Sequence, residues 1–190
     1  MKRFRILAVT LSLLVFVAML VGCAGSETVS LFPDKNLEAA VRDALDKQVG
    51  EEITVAELAN LTTLSAESSD ITDLSGIEYC TNLTELDLSN NKISDISPLS
   101  SLTNLTVLKI NMNRISDISA LSSLTNLSWL NLSDNLINNI LPLVNNSGLG
   151  AGDRVFLSGN NLVVEEHTGL WQEIEALEDR GVIIHHPGSW

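Results

Sequence analysis

The stretch Leu83-Thr-Glu-Leu-Asp-Leu-Ser-Asn-Asn-Lys-Ile93 decides the fold, because its spacing returns twice more down the chain. Leu83, Leu86, Leu88, Asn91 and Ile93 are followed by Leu105, Leu108, Ile110, Asn113 and Ile115, and then by Leu127, Leu130, Leu132, Asn135 and Ile137. The period is 22 residues. A looser copy precedes them at Leu61, Leu64, Ala66, Ser69 and Ile71, and Val155, Leu157, Asn160 and Leu162 restore the template after a fourth unit three residues longer than the rest.

Alternation within the stretch places Leu86 and Leu88 on one face of a short strand and Glu85 and Asp87 on the other. One such unit cannot bury its apolar face alone. Copies therefore stack, each adding a parallel strand to one sheet and a share to one continuous core. Asn91, Asn113 and Asn135 stand where the backbone leaves each strand, and their amides are expected to satisfy buried backbone groups that would otherwise cost ~1–3 kcal/mol each.

The second half of each unit, typified by ISDISPLSSLTN, carries Ile96, Leu99 and Leu102 inward and a column of Gly76, Pro98, Ala120 and Pro142. Proline suits the first position of a helical turn, with Ser97 before it as the expected cap, so short 3₁₀ or α turns are expected opposite the sheet. Cys80 aligns with Leu102 and Leu124 and reads as a small buried hydrophobe with a free thiol. Asp73, Asp95, Asp117 and Asn139 form another column. It lacks the dense ligand spacing of a calcium loop and reads as turn capping.

Repeat arrays need ends unlike their middles. Asp34 caps a helix with Leu37, Ala40, Val41, Ala44 and Leu45 at helical spacing, and Thr54 with Glu57 forms a capping box for a second short helix. At the other end Leu170, Ile174 and Leu177 line a helix closed by Gly181, and Val182 to Ile184 reads as a final strand. The organisation expected is a helical N-terminal cap at 32–60, repeats at 61–162 and a helix-strand cap at 163–190.

Residues 1–22 belong to no fold. Lys2, Arg3 and Arg5 precede an apolar run from Ile6 to Val21, the form of an export leader. Leu20-Val21-Gly22-Cys23 resembles the lipobox of bacterial lipoproteins, which implies cleavage before Cys23 and a diacylglycerol and palmitate anchor on it, with 23–31 as a tether. An ordinary cleaved signal and an uncut anchor are the alternatives, and all three place the remainder outside the cytoplasm. Three of the 11 basic residues and none of the 24 acidic ones lie in the leader, leaving 8 against 24, a net charge of −16. That balance disfavours nucleic acid and anionic lipid head groups as partners.

The repeat TNLTELDLSNNKISDISPLSS at 81–101, with its acidic helical cap, resembles the internalin-type leucine-rich-repeat proteins of bacteria. The resemblance runs from Phe32 to about Leu162. It implies an α/β fold, a short leucine-rich-repeat solenoid with its parallel sheet on the concave face. It also implies a protein partner bound there and brings no catalytic residues with it; no metal or cofactor is expected, and the chain is expected to be a monomer. Internalins proper are longer and commonly attached through their C-terminus, a departure from the anchor read at Cys23.

The outward strand positions supply the candidate contacts: Glu85, Val107, Trp129 and Arg154 in one column, Asp87, Lys109, Asn131 and Phe156 in the next. Trp129, Phe156 and Arg154 are the residue types that dominate binding hot spots, and Val107 and Lys109 complete the patch. The competing reading is that Trp129 and Phe156 are covered by the C-terminal cap or exposed singly. Six strands ~4.8 Å apart give a face only about 25–30 Å long, barely room for a standard interface of ~800 Å² per partner.

Enzymatic function finds little support. His167, His185 and His186 are the only histidines, and adjacent residues such as the last two, after the closing strand, are poorly placed to share one metal. Phosphate-binding glycine loops, nucleophile elbows and metalloprotease helices are absent from the sequence. Asn82, Asn104 and Asn126 fit the glycosylation pattern, but as a by-product of the repeated TNLT or TNLS. An accessory envelope lipoprotein without a dedicated ligand is the alternative to a receptor.

Overall fold

The computed structural model describes residues 31–163 and 169–186. The leader, Cys23 with the tether up to residue 30, and His167 lie outside the described residues. Six three-residue strands form one sheet in chain order: β1 (Thr63–Ser65), β2 (Glu85–Asp87), β3 (Val107–Lys109), β4 (Trp129–Asn131), β5 (Arg154–Phe156) and β6 (Ile183–His185). Every neighbouring pair is parallel. The register follows the repeat, so that Leu64, Leu86, Leu108, Leu130, Val155 and Ile184 form one inward row across all six strands. All six are buried. The helix–sheet–helix order is the α/β solenoid expected.

Asparagine closes the inner edge of each coil. Asn113 Oδ1 accepts from Ile93 N–H at 3.0 Å, while its Nδ2 donates to the carbonyls of Leu88 and Ile110 at 2.9 and 3.1 Å. Asn91, Asn135 and Asn160 repeat the pattern one coil away in each case. Each amide therefore completes the backbone of the preceding coil as well as its own. The first coil, which follows a helical cap rather than another coil, has Ser69 in this place and nothing before it to complete.

Opposite the sheet, 3₁₀ turns span Ile77–Tyr79, Ser97–Ser101 and Ser119–Ser123. Ser97 does not cap its turn, contrary to expectation, because it is the turn's first residue and Ile96 stands in the cap position. Asp95 does that work, accepting from Ser97 N–H at 2.8 Å, and Asp73, Asp117 and Asn139 act alike on Ser75, Ser119 and Leu141. A second amide ladder runs along this side, with Asn82, Asn104 and Asn126 donating to the carbonyls of Ala59, Thr81 and Thr103. The TNL phrase thus contributes a bond between stacked coils. Cys80 is buried in the core, where desolvation first, and the nearby Glu78 carboxylate second, push its thiol up to about 12.

The N-terminal cap comprises α1 (Lys35–Ala44) and α2 (Val55–Leu58). Asp34 caps α1 through Asn36 and Leu37 N–H, and its other oxygen accepts from Thr72 N–H, Thr72 hydroxyl and Asp73 N–H, which fastens the helix to the first coil. Burial alone would raise this carboxyl, but the hydrogen bonds from Thr72, Asp73 and Leu37 outweigh it and hold it below the usual range. The Thr54–Glu57 capping box forms as read. Gly76 breaks the proline-alanine column because the cap lies on it: its φ is +100°, and a Cβ there would meet Leu31 O at 2.4 Å and the Phe32 ring at 2.7 Å.

At the far end, α3 (Leu141–Asn145) replaces the 3₁₀ turn in the longer coil, and α4 (Gly169–Glu178) packs near it. The Arg180 guanidinium donates to the carbonyls of Val144, Asn146 and Leu149, the turn where the extra residues are accommodated. The closing strand is Ile183–His185 rather than Val182–Ile184, since pairing to β5 starts at Ile183, opposite Arg154. His185 therefore lies within the strand, and not after it.

Candidate binding surface

The outward residues of the sheet stand in two columns fixed by the register. One runs Thr63, Glu85, Val107, Trp129, Arg154 and Ile183, and the other Ser65, Asp87, Lys109, Asn131, Phe156 and His185. All eight candidate contacts fall on this one face. The register also brings in Ile183 and His185, which the sequence reading left out because the last strand follows β5 at a spacing of 29 rather than 22 residues. Only the outward alternation from Val182 could have pointed to them.

Side chains on the last three strands interlock. The Trp129 and Phe156 ring centres are 5.0 Å apart with planes tilted by 41°, and the His185 imidazole stacks on Phe156 at 4.6 Å with planes within 6°. The Arg154 guanidinium lies 5.5 Å from the centre of the Trp129 ring. Tilted or stacked aromatic pairs contribute ~0.5–1.5 kcal/mol beyond area burial. Neither proposed covering by the cap nor isolation describes these rings fully: β6 covers one side of Phe156, while Trp129 and Phe156 are only partly buried and touch each other.

The other half of the face is polar. Lys109 Nζ pairs with Asp87 at 3.1 Å, with 46% and 20% of the two side chains exposed, so the pair adds little to stability. Burial would raise the Asp87 carboxyl, but the Ser89 hydroxyl and N–H, with the Lys109 ammonium, hold it below the usual range. Between the halves lies a pocket of about 400 Å³, lined by Val107, Lys109, Ser128, Trp129, Gly152 and Arg154. It is a depression open to solvent, with Val107 and Trp129 as its apolar wall and Lys109, Ser128 and Arg154 as its polar groups.

Residues 59–101 match a family model described as leucine-rich repeats in two copies, and residues 81–137 match a second leucine-rich-repeat model. The coils over residues 59–137 thus match leucine-rich repeats. Among solved structures, an internalin, InlF, from Listeria monocytogenes is 34% identical with a TM-score of 0.67, covering 78% of this chain and 48% of that one. The functional domain of InlJ from the same organism, which includes a cysteine ladder, is 32% identical with a TM-score of 0.63 over 72% of this chain and 29% of its own. A leucine-rich-repeat protein of Leptospira interrogans, 24% identical with a TM-score of 0.58 over 70% of this chain and 33% of that one, shares the fold. This chain spans about half, or less, of the length of these three solved structures. A search of curated proteins found no match. Leucine-rich repeats generally act as protein-interaction modules and typically lack catalytic activity.

Proposed function

We propose that this protein binds another protein through the outward face of its repeat sheet, outside the cytoplasm, tethered through a lipid on Cys23. The observation that carries the binding reading is the connected row of Arg154, Trp129, Phe156 and His185 across β4, β5 and β6. Rigid aromatic and arginine side chains held by neighbours lose little freedom on binding, which is why such clusters anchor interfaces. Glu85, Asp87, Val107, Lys109 and Asn131 extend the contact surface across β2 to β4. The face is short, so the interface is small and depends on these anchors.

The tether rests on the lipobox resemblance and on charge. A net −16 after the leader repels anionic lipid and holds the repeats away from the surface to which Cys23 would bind them.

Two experiments test the two parts. The protein immobilised against a surface extract should capture a saturable protein partner, and Trp129→Ala with Phe156→Ala should abolish that capture while the melting transition persists. Undiminished capture removes the surface from consideration. Labelled fatty acid should enter the wild type and not Cys23→Ala. Equal incorporation refutes the anchor and leaves the binding reading intact.

A further inference from the structure

We infer that the partner segment seated on this face is acidic, its carboxylates meeting Arg154 and Lys109 beside an apolar side chain that enters the pocket against Val107 and Trp129. The inference rests on the concave-face reading and adds the chemistry of the partner.

Charge is divided along the sheet. Both carboxylates of the outward columns, Glu85 and Asp87, stand on β2, whereas from β3 to β6 the charged members of the columns are Lys109 and Arg154, with His185 beyond them. The pocket lining repeats this division, with two cations and no carboxylate. The chain as a whole carries 24 acidic residues against 11 basic ones. A basic partner would therefore find attraction over most of the molecule, and this is the place where it would be repelled. An acidic one is repelled almost everywhere and attracted here, which is how charge fixes register more than raw affinity.

Arg154 is prepared for a carboxylate. Its guanidinium carbon lies 5.5 Å from the centre of the Trp129 ring, and it makes no ion pair among the described residues. A guanidinium held beside a ring and without an ion pair can offer its fork of N–H groups to a carboxylate in paired hydrogen bonds. Lys109 is shared with Asp87, so it offers a point charge at the pocket wall rather than a second fork. Stacking rings with a cation would also suit an acidic saccharide. The apolar wall of Val107 and the edge of the adjoining Ile183, 43% exposed, favour a peptide carrying an aliphatic or aromatic side chain.

Random displayed peptides panned on the full protein test this, with the enriched sequences then measured by fluorescence anisotropy. The expected result is enrichment of Asp and Glu flanking an apolar residue, weaker binding as NaCl is raised, and an affinity loss of about tenfold or more in both Arg154→Gln and the Gln-for-Glu peptide. Arg154→Lys should recover only part of the loss. Arg154 is exposed, so these variants should keep the wild-type melting transition. Neutral or basic enriched peptides, no enrichment, or an unchanged affinity in Arg154→Gln overturns the inference. So does polygalacturonate binding at this face where acidic peptides do not. A natural partner lost in the Trp129, Phe156 double variant but indifferent to Arg154→Gln and Lys109→Gln would overturn the acidic chemistry alone and leave the concave-face reading standing.

Discussion

The Trp129 and Phe156 rings meet at 5.0 Å across β4 and β5 although they belong to different columns of the sheet, Trp129 facing Arg154 and Phe156 facing Asn131 in the register. The contact is diagonal. Aromatic side chains are long enough to bridge such diagonal neighbours, and pairs of this kind are directly measurable. A double-mutant cycle of Trp129→Ala and Phe156→Ala, read by urea unfolding, should give a coupling of ~0.5–1.5 kcal/mol. Strict additivity of the two losses would mean that the rings do not support each other.

The two asparagine ladders should differ sharply in cost. Asn113→Ala strips Ile93 N–H and the carbonyls of Leu88 and Ile110 of a partner in a buried place, and a loss of ~2–4 kcal/mol is expected. Asn104→Ala removes one exposed bond to Thr81 O, which water can replace, so its loss should stay below ~1 kcal/mol. Equal destabilisation of the two variants in denaturant titrations would contradict this division.

Acid should loosen the N-terminal cap through Asp34. Its carboxyl lies below the ordinary value of 3.8 in the folded protein, so it binds a proton less readily there than in the unfolded chain. Its contribution is therefore present above the unfolded value and lost as pH falls through the folded one. Wild type should lose stability relative to Asp34→Asn below about pH 4, and the gap between them should be constant at neutral pH. Parallel pH profiles for the two proteins would exclude Asp34 as the source.

The same repeat position takes a left-handed backbone in every coil: Ser68, Asn90, Met112, Asp134 and Gly159, with φ between 54° and 72°. Asn, Asp and Gly accept this conformation readily, and methionine does not. Met112 is 51% exposed, so its side chain contributes little packing. Met112→Asn should raise stability by roughly 0.5–1 kcal/mol, visible as a higher melting temperature. A lower one would show that the Met112 side chain has packing of its own.

The coils were legible in the sequence because each must bury the same face in the same way, so Leu86, Leu108 and Leu130 repeat one physical solution at one spacing. The caps were legible where local chemistry speaks for itself, as at Asp34 and the Thr54–Glu57 box. Legibility failed where the period breaks. β6 begins one residue later than its apolar pattern implies because its pairing is set by β5 across α4, and no repeat position reports that register. The stack of His185 on Phe156 was hidden for the same reason. Ser97 was taken as the cap because serine before proline is a local signal, although the column of Asp73, Asp95, Asp117 and Asn139, read as turn capping from its fixed place in the repeat, held the actual acceptors. The outward columns could be listed from alternation alone. Their contacts could not, since ring geometry depends on how far side chains lean across strands.

The asparagine ladder gives the repeat array a direction. Each amide reaches back to complete the coil before it, so a coil leaving the ribosome holds a buried N–H without its amide partner until the next one arrives. Folding during synthesis should therefore trail the growing chain by one whole coil. Chains cut short at the C-terminal end leave that N–H without its acceptor, whereas loss of the first coil takes from its neighbour a different set of partners, the carbonyls of Thr62 and Ile71 that accept from Thr84, Glu85 and Lys92 N–H.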